Sequence, residues 1–495
     1  MNTVWANRRL RVESAWLGLV SVGLVALRLY RIDDPITSSG WAFRYTQTAF
    51  GIRSLMRDGL NPLYMQVPVL GPPWKIPYEF PLFQLGGAIV GRALDLDAAV
   101  AGRFAATVVF AFAGITVYSL ARSWFSLRVA IASYLIFAWS AYGFNWGGEV
   151  LIDYLSVALC LAGLTVIHRS NSMSSWLVAV ATALSALGAL TKITTAYPWV
   201  VICGLAMAWS RRTDSGRLRR IGVWGIGSLA PALAWNRYAD SIKSDNPHTV
   251  WLTSWNLNGH HFRSPRELLE VSQWQLLIEH ATEPVIGSVL LSVALLLVAA
   301  MAPWSARPSR LLLVALVAPP LTFTGLYLAH DYYFIAVSPA LAILAGVGLE
   351  TVRRLVATSW KTGFSLGSTF IGALIVTGMS WISPEGVENL NNSLPGSAAP
   401  QLRFDEVSAV TTVSDHIIVI GMDWSPVFLY TVDRKGLMLR PSGTRPDDAE
   451  LGTFYEYVYW AEANPTPEQW AEYFPADLRY EAISSNFYRI FPIIG

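Results

Sequence analysis

The sequence predicts an α-helical, polytopic membrane protein with an α/β domain at its C-terminal end. The chain has 495 residues, of which 53% are hydrophobic and only 14% are charged, and its mean hydropathy is +0.40. Soluble domains carry about 25% charged residues. Apolar segments of roughly 17–25 residues, long enough to cross a bilayer, recur along the chain. The net charge of +2 is spread over the loops without a basic patch, which excludes a nucleic-acid partner.

About eleven transmembrane helices follow from this pattern. They are predicted near residues 14–30, 100–121, 129–146, 152–168, 174–191, 194–210, 220–238, 285–303, 309–329, 333–349 and 364–382. The first apolar run lacks a small-residue cleavage site, which favours an uncleaved signal anchor over a signal peptide. Segment 81–95 is short and carries Arg92. We interpret it as an amphipathic or re-entrant helix at the outer surface, and a twelfth span is the alternative.

Basic residues in the loops indicate the orientation. If the N-terminus is cytoplasmic and 81–95 does not cross, the loops rich in Arg and Lys fall on the cytoplasmic side, as the positive-inside rule requires. These loops are 122–128, 168–173, 211–220, 304–310 and 350–363. Counting 81–95 as a span would place all of them outside. We therefore expect the N-terminus inside and the C-terminus outside.

Two domains follow from this orientation. Residues 1–382 form the predicted transmembrane domain, with outer loops 31–99 and 239–284, and residues 383–495 form an extracytoplasmic α/β domain after a linker rich in Pro, Gly, Asn and Ser. Within the second domain, the pattern predicts a strand at 416–421, a helix at 425–436 stopped by Gly436, a strand in LMLR, an acidic and aromatic helix near 446–463, and short strands around 478–493.

Ionisable side chains beside membrane spans are costly and mark functional sites. In this chain they collect at one predicted level, the outer boundary, where the spans contribute Arg103, Glu149, Asp153, Lys192, His330, Asp331, Tyr332 and Tyr333. The first outer loop adds Asp33, Asp34, Arg44, Arg53, Lys75 and Glu79. Carboxylates for a general base and cations for a phosphate are therefore expected to converge where a lipid-phosphate donor presents its headgroup.

Each of these groups also has a structural interpretation. Asp33 and Asp34 suit a turn at a helix end, and Lys192 suits snorkelling toward the interface. Arginines of the first loop suit contacts with lipid headgroups, and the HDYY turn at 330–333 suits an interfacial aromatic belt. Glu149 and Asp153, four residues apart on one predicted helix face, suit structural pairing with the nearby cations.

Several segments carry a resemblance to a known family. They are FRYTQTA (43–49), GLNPLY (59–64), VLGPPWKIPYEFPLFQ (69–84), the Arg103 that opens a span, HDYY (330–333) and GMDWSPVFLYTVDRKG (421–436). In order and topology the chain resembles bacterial members of the dolichyl-phosphate-mannose protein mannosyltransferase and aminoarabinose transferase-like family. The resemblance implies the C-type glycosyltransferase (GT-C) fold and an enzyme of the cell envelope. It implies transfer of a hexose or pentose from a polyisoprenyl-phosphate donor, with inversion, on the periplasmic face of the inner membrane.

The chain departs from this family at one position. Relatives usually carry a catalytic acid in the first outer loop, whereas nothing acidic lies between Asp34 and Asp58 here. The candidates for the base are Asp34 and Glu79 equally, followed by Glu149 and Asp153, with Asp33 beside them. The candidates for binding the donor phosphate or sugar are Arg44, Gln47, Arg53, Lys75, Arg103, Lys192, His330, Asp331 and Tyr332.

The remaining expectations concern partners and rival functions. The acceptor is a glycan, a lipid or a protein, and membrane lipids surround the spans. We expect no metal site, because His248, His260 and His261 match no standard spacing, although a divalent cation (Mg²⁺ or Mn²⁺) is left open as a cofactor. Trp251, Trp255 and Trp274 suit either stacking on sugar rings or a position in the membrane interface. Asp423 and Trp424, at the end of a predicted strand, suit either ligand binding or packing against the membrane domain. The rival functions are a non-catalytic relative that binds lipid-linked sugar and a secondary transporter. A closer alternative is an enzyme of the same fold that uses a pyrophosphate-linked donor or transfers a whole glycan.

Overall fold

The computed structural model describes residues 2–30, 32–37, 41–169, 174–210, 214–264, 266–360, 367–384, 386–388, 404–440 and 443–492. Most of the predicted linker at 383–400, and parts of the predicted loops 168–173, 211–220 and 350–363, lie outside these residues.

Most of the described chain is helical, as the hydrophobic pattern predicts. The α-helices are Asn2–Leu29, Ala42–Asp58, Leu82–Leu94, Ala98–Trp124, Leu127–Trp139, Ala141–Trp146, Asp153–Arg169, Ser175–Thr191, Ile193–Tyr197, Cys203–Ser210, Ser215–Ser244, Asn258–His261, Val271–Ile286, Val289–Met301, Ala306–Thr322, Thr324–Ala329, Ser338–Trp360, Gly367–Ile382, Asp405–Val410, Val427–Val432 and Pro467–Tyr473. Each predicted span falls on one or more of these helices.

Length and apolarity single out fewer helices than the predicted eleven. Among the described residues, Ala98–Trp124 and the continuous helical stretch Ile193–Ser210 are long and apolar enough to cross a membrane. A third candidate is the pair Val271–Ile286 and Val289–Met301, which is bent by 85°. The bend is at Gly287, whose φ of 89° is a left-handed conformation that glycine adopts without a steric penalty. The number of spans and the orientation stay predictions.

Contacts divide the chain into two compact units. One, the helical unit, comprises Met1–Asp33, Arg103–Trp235 and Asn258–Ser397. The other, the sheet unit, comprises Asp34–Gly102, Asn236–Leu257 and Ala398–Gly495, so it combines segments of both predicted outer loops with the C-terminal region.

Small residues allow the helices of the helical unit to approach closely. A Cβ on Gly188 of Ser175–Thr191 would lie only 3.0 Å from the carbonyl oxygen of Ser156 in Asp153–Arg169. Gly346, in Ser338–Trp360, makes the same kind of approach to Leu127–Trp139, where its Cβ would lie 2.9 Å from Ser133 Oγ. Such contacts between small residues are typical of helix packing in membranes, where the hydrophobic effect contributes little.

The sheet unit contains a five-stranded sheet in the order β2-β1-β3-β5-β4. The strands are β1 His416–Ile420, β2 Lys435–Leu439, β3 Tyr457–Trp460, β4 Arg479–Ala482 and β5 Phe487–Phe491. Strands β2 and β3 both run parallel to β1, whereas β5 runs antiparallel to both β3 and β4. The first loop reaches this sheet, since the backbone N–H of Met438 donates to Val69 O at 2.8 Å and Trp74 joins the core on one face.

One predicted element of this region ends earlier than expected, and another is wrong. The helix expected at 425–436 is only Val427–Val432, because Asp433 ends it in the left-handed conformation. Gly436 lies instead in β2, where a side chain would collide with the backbone of Ile417 in β1. The helix expected near 446–463 is replaced by the 3-10 turn Asp448–Glu450 and by β3, whose aromatic and β-branched residues are all buried.

Candidate active site

A buried ion pair lies at the junction of three helices in the helical unit. Lys192 is extended between Ser175–Thr191 and Ile193–Tyr197, and Asp153 begins Asp153–Arg169. The Lys192 Nζ lies 2.9 Å from Asp153 Oδ1, and the two side chains are 4% and 0% exposed. Thr195 Oγ1 donates to the same carboxylate oxygen at 3.1 Å. Burying two charges is costly, so a pair held in this way marks a candidate functional site.

Backbone contacts fix the position of this lysine. The Ser156 hydroxyl donates to the carbonyl oxygens of Gly188 and Lys192, at 2.8 and 3.1 Å. Each carbonyl also accepts a backbone N–H, from Lys192 and Ala196 at 3.1 and 3.0 Å, so the serine is an additional donor at the break between the two helices. Ser156, one turn into the neighbouring helix, thus holds the chain at the point where Lys192 is extended between two helices.

The HDYY turn packs against the lysine. Lys192 Nζ lies 4.1 Å from the ring centroid of Tyr333 and 5.0 Å from that of Tyr332. These two rings stack on each other at 4.9 Å, and the His330 ring stacks on Tyr332 at 5.3 Å. A cation above aromatic faces gains electrostatic stabilisation while remaining able to contact an anion.

Asp331 of the same turn has an unusual environment. The Tyr142 hydroxyl donates to its backbone oxygen at 3.0 Å, which anchors the turn. Its Oδ1 is buried and has no hydrogen-bond partner among the described residues. Burial raises the pKa of the Asp331 carboxyl to about 6, although hydrogen bonds from backbone N–H groups act in the opposite direction. Asp331 can therefore exchange a proton near neutral pH.

A second cationic group lies elsewhere in the helical unit. Arg103 Nη2 is 3.3 Å from Glu149 Oε2, and both side chains are largely buried. Arg28 lies beside them around a small cavity, with its guanidinium 4.5 Å from the Phe110 ring and 5.0 Å from the Phe144 ring. The expectation that Glu149 and Asp153 share one helix face is wrong, because the helix starts only at Asp153.

Sequence reasoning missed Arg28. It lies within the first apolar run, and it is only 8% exposed. The available signal was the presence of an arginine inside a predicted span, a position that is expensive for a charge and often functional.

In the sheet unit, Glu79 is held by a cation. Arg44 Nη2 donates to Glu79 Oε1 at 2.7 Å, and Arg44 Nη1 donates to the Gln47 side-chain oxygen. Arg44 and Gln47 lie three residues apart on Ala42–Asp58, so they share a helix face. Glu79 is 26% exposed, which leaves its carboxylate accessible. Burial raises the pKa of the adjacent Tyr78 phenol, which keeps this hydroxyl protonated.

The other candidates of this unit have different surroundings. Arg53 donates to Tyr430 O at 2.8 Å and pairs with Asp433 at 3.0 Å, which ties Ala42–Asp58 to the C-terminal region. Lys75 Nζ donates to the Tyr238 hydroxyl at 2.7 Å. Asp34 is partly buried.

Asp33, the last residue of the first segment of the helical unit, is exposed. The structure thus groups the candidates of the helical unit into two pairs and the HDYY turn. In the sheet unit it groups Arg44, Gln47 and Glu79.

Three of the acidic candidates have a basic partner. Asp153, Glu149 and Glu79 each lie beside a basic side chain. In the part of the chain that the structure describes, no three His, Cys, Asp or Glu side chains are grouped so that they could hold a metal ion. We therefore assign no step to a metal.

Comparisons with known proteins identify the fold. No protein-family model and no curated protein sequence matches the chain. ArnT from Cupriavidus metallidurans, solved with bound undecaprenyl phosphate, matches with a TM-score of 0.64 and 14% identity over 99% of this chain and 98% of that one.

Two further structures have the same architecture. The oligosaccharyltransferase AglB from Archaeoglobus fulgidus, in complex with an inhibitory peptide and a dolichol-phosphate, matches with a TM-score of 0.53 and 13% identity, over 90% of this chain and 69% of that chain. The mycobacterial arabinofuranosyltransferase AftD matches with a TM-score of 0.57 and 13% identity, over 96% of this chain but 40% of that chain. The predicted GT-C fold is thereby confirmed.

Proposed function

We propose that this protein is an inverting glycosyltransferase that moves a sugar from a polyisoprenyl-phosphate donor to an acceptor at the outer face of the cytoplasmic membrane. The observation that carries the proposal is the fold, which matches ArnT along nearly the whole of both chains. ArnT was solved with undecaprenyl phosphate, a lipid of the proposed donor class. The buried ammonium of Lys192, a point charge of the kind that binds phosphate, supplies independent support.

The reaction needs a base for the acceptor. In a single displacement, the acceptor oxygen attacks the anomeric carbon, its proton passes to a carboxylate, and the bond from that carbon to the phosphate oxygen breaks. Inversion follows because the nucleophile enters opposite the leaving group. We assign the base to Glu79, since Arg44 orients its carboxylate at 2.7 Å while a quarter of the side chain stays exposed.

The leaving group is the polyisoprenyl phosphate, which keeps the electron pair of the broken bond. Cations stabilise it as negative charge develops on the bridging oxygen. Lys192 is our first choice for this role, because its ammonium retains donor capacity beyond its contact with Asp153. Arg103, His330 and Tyr332 are the further candidates in the helical unit. Arg53 is left out, because its guanidinium is engaged by Tyr430 O and Asp433. Lys75, whose ammonium contacts the Tyr238 hydroxyl, is a further candidate in the sheet unit.

The function is tested with the purified, full-length protein in nanodiscs. A panel of radiolabelled polyprenyl-phosphate hexoses and pentoses is offered, each with a crude acceptor extract from envelope, and label in acceptor is counted. Transfer from at least one donor supports the enzyme. Donor binding without turnover favours a non-catalytic protein that binds lipid-linked sugar. The lack of an acidic residue between Asp34 and Asp58 supports that alternative. If no donor binds, a secondary transporter becomes the better hypothesis.

A further inference from the structure

A cluster of aromatic side chains surrounds Trp424 in the sheet unit. Its ring centroid lies 4.5 Å from that of Phe43, 5.5 Å from that of Trp251 and 6.0 Å from that of Tyr78. β1 ends at Ile420, and Trp424 follows it after a short turn. In this turn Asp423 takes a left-handed conformation with φ of 49°. Trp424, Trp251 and Phe43 are only partly buried, so the cluster presents aromatic surface rather than a sealed core.

Charged groups accompany these rings. Arg440 follows β2, and its guanidinium lies 3.9 Å above the centroid of the Trp251 ring. Its Nε is 3.0 Å from Asp423 Oδ1. The two strands run parallel, with Ile420 paired to Leu439, so the residues after both strands meet at one edge of the sheet. The carboxyl ends of parallel strands are where open α/β sheets bind ligands.

A cavity opens beside this edge. It has a volume of about 310 Å³, and its lining includes Leu70, His248, Trp251, Leu439 and Arg440. Small-molecule sites typically have about 300–1,000 Å³, with mostly apolar walls and a few polar groups. Burial lowers the pKa of His248, although the charge of Glu450 acts in the opposite direction. Its imidazole is therefore neutral at physiological pH and offers one donor and one acceptor.

The chemistry of this wall suits one ligand class. Asp423 and Arg440 compensate each other's charge, and His248 is neutral, so the site does not demand an anion. A guanidinium and a carboxylate side by side can donate to and accept from neighbouring hydroxyl groups. An indole ring offers an apolar, rigid surface with a polar edge. A sugar ring, which has hydroxyls around its rim and C–H groups on its faces, matches both features.

An extended peptide matches less well. Peptides commonly bind by adding a strand to a free sheet edge. Beside this cavity the edge of β2 is occupied, because Leu70 forms an antiparallel bridge with Leu437 and Met438 N–H donates to Val69 O.

We infer that the cavity of Trp251, Arg440 and His248, with Asp423 beside it, is a binding site for a neutral saccharide. Given the proposed function, on which this part rests, the saccharide is the acceptor, so the acceptor class is a glycan rather than a protein or a lipid chain.

Binding is measured with the full-length protein in nanodiscs, by saturation-transfer difference NMR and tryptophan fluorescence. The probes are neutral trisaccharides of glucose, mannose, galactose and arabinose, with a glucuronic-acid trisaccharide for comparison. The variants are Trp251→Ala and the milder Asp423→Asn, whose side chain is 60% exposed. Trp255→Ala is the matched control, because Trp255 lies in the same loop, is 82% exposed and does not line the cavity.

We expect at least one neutral trisaccharide to bind, and Trp251→Ala to weaken that binding about tenfold or more. Asp423→Asn should weaken it measurably, and Trp255→Ala should leave it unchanged. Absence of binding by every neutral probe, stronger binding of the uronic acid, or equal binding by the Trp251→Ala and Trp255→Ala variants would each overturn the inference. The assay contains no lipid donor, so its outcome does not depend on whether the protein turns a donor over.

Discussion

The ammonium of Lys192 and the carboxylate of Asp153 lie 2.9 Å apart, and both side chains are almost completely removed from solvent. Thr195 donates to the same carboxylate oxygen, whereas Asp153 Oδ2 has no hydrogen-bond partner among the described residues. The pair is therefore held firmly on one side and incompletely satisfied on the other. Such a pair stabilises the helix junction only as long as both charges are present.

Removing one charge of this pair should destabilise the protein strongly. Lys192→Met leaves the Asp153 carboxylate buried without its cation, which costs about 3–5 kcal/mol. The double variant Lys192→Met/Asp153→Leu should recover most of the loss, because no unpaired charge remains. The midpoint of thermal unfolding in nanodiscs measures both. Lys75→Met, which removes a partly exposed ammonium, is the control and should cost much less. Equal midpoints for Lys192→Met and wild type would contradict the structural account.

Asp331 should make stability depend on pH. Burial raises its pKa from 3.8 to about 6, so the folded protein binds a proton more tightly at this site than the unfolded chain does. Ionising the carboxyl in the folded state is unfavourable, so Asp331 lowers stability as pH rises from about 3.8 to about 6. Asp331→Asn removes this contribution.

The measurement for Asp331 is the difference in unfolding midpoint between Asp331→Asn and wild type across that pH range. Taking the difference cancels the titration of every other carboxylate. The difference should move in favour of the variant as pH increases and then stay constant. A difference that does not change with pH would show that the Asp331 carboxyl has an ordinary pKa.

The carboxylate of Glu350, which Arg353 and Arg354 share, should be essential to the stability of the helical unit. Glu350 is fully buried and accepts hydrogen bonds from Arg353 at 2.8 Å, Arg354 at 3.0 Å and Thr369 at 2.9 Å. Glu350→Gln weakens these bonds and leaves guanidinium groups uncompensated, so we expect a loss of about 3–5 kcal/mol.

The matched control for Glu350 is an exposed pair in the same unit. Glu267 pairs with Arg263 at 3.0 Å, and both side chains are more than a third exposed. Solvent screens such a pair, so Glu267→Gln should lower stability much less than Glu350→Gln does. Thermal unfolding of both variants in nanodiscs makes the comparison. Similar losses for the two variants would mean that burial does not govern the strength of these pairs.

Metal removal should not affect transfer. Asp153, Glu149 and Glu79 each have a basic partner within 3.3 Å, which competes with a divalent cation for the carboxylate. We expect the rate of sugar transfer to be the same with and without EDTA, and to be unchanged by added Mg²⁺ or Mn²⁺. A loss of transfer in EDTA that Mn²⁺ restores would require a metal site that the described residues do not reveal.

The sequence was sufficient to predict the helices and part of the sheet, because hydrophobic periodicity is local. The spans expected at 152–168 and 174–191 coincide with Asp153–Arg169 and Ser175–Thr191 within one residue at each end. The strand expected at 416–421 is β1. The prediction failed where tertiary contacts determine the local structure. Gly436 was predicted to end a helix, but it lies where β2 passes so close to β1 that a side chain would collide with the backbone.

The candidate site could be predicted only as a set of residues. Charges near the ends of apolar runs identified Arg103, Glu149, Asp153 and Lys192, but which carboxylate meets which cation depends on how helices distant in sequence pack. Glu79 and Arg44 are 35 residues apart, and no periodicity links them. The contact between Val69 of the first outer loop and β2 could not be predicted either. Backbone hydrogen bonds between distant segments leave no pattern in the side chains.

The most direct test of the account compares turnover by wild type, Glu79→Gln and Asp34→Asn with a polyprenyl-phosphate sugar that the wild type accepts. Binding of the same donor is measured in parallel. We predict that Glu79→Gln lowers the transfer rate by about 10²–10⁴-fold while donor binding persists, because a glutamine cannot accept the acceptor proton. Asp34→Asn should keep most of the rate. Full activity of Glu79→Gln, or loss of activity in Asp34→Asn alone, would contradict Glu79 as the base, and the absence of transfer by wild type from any donor would contradict the enzyme itself.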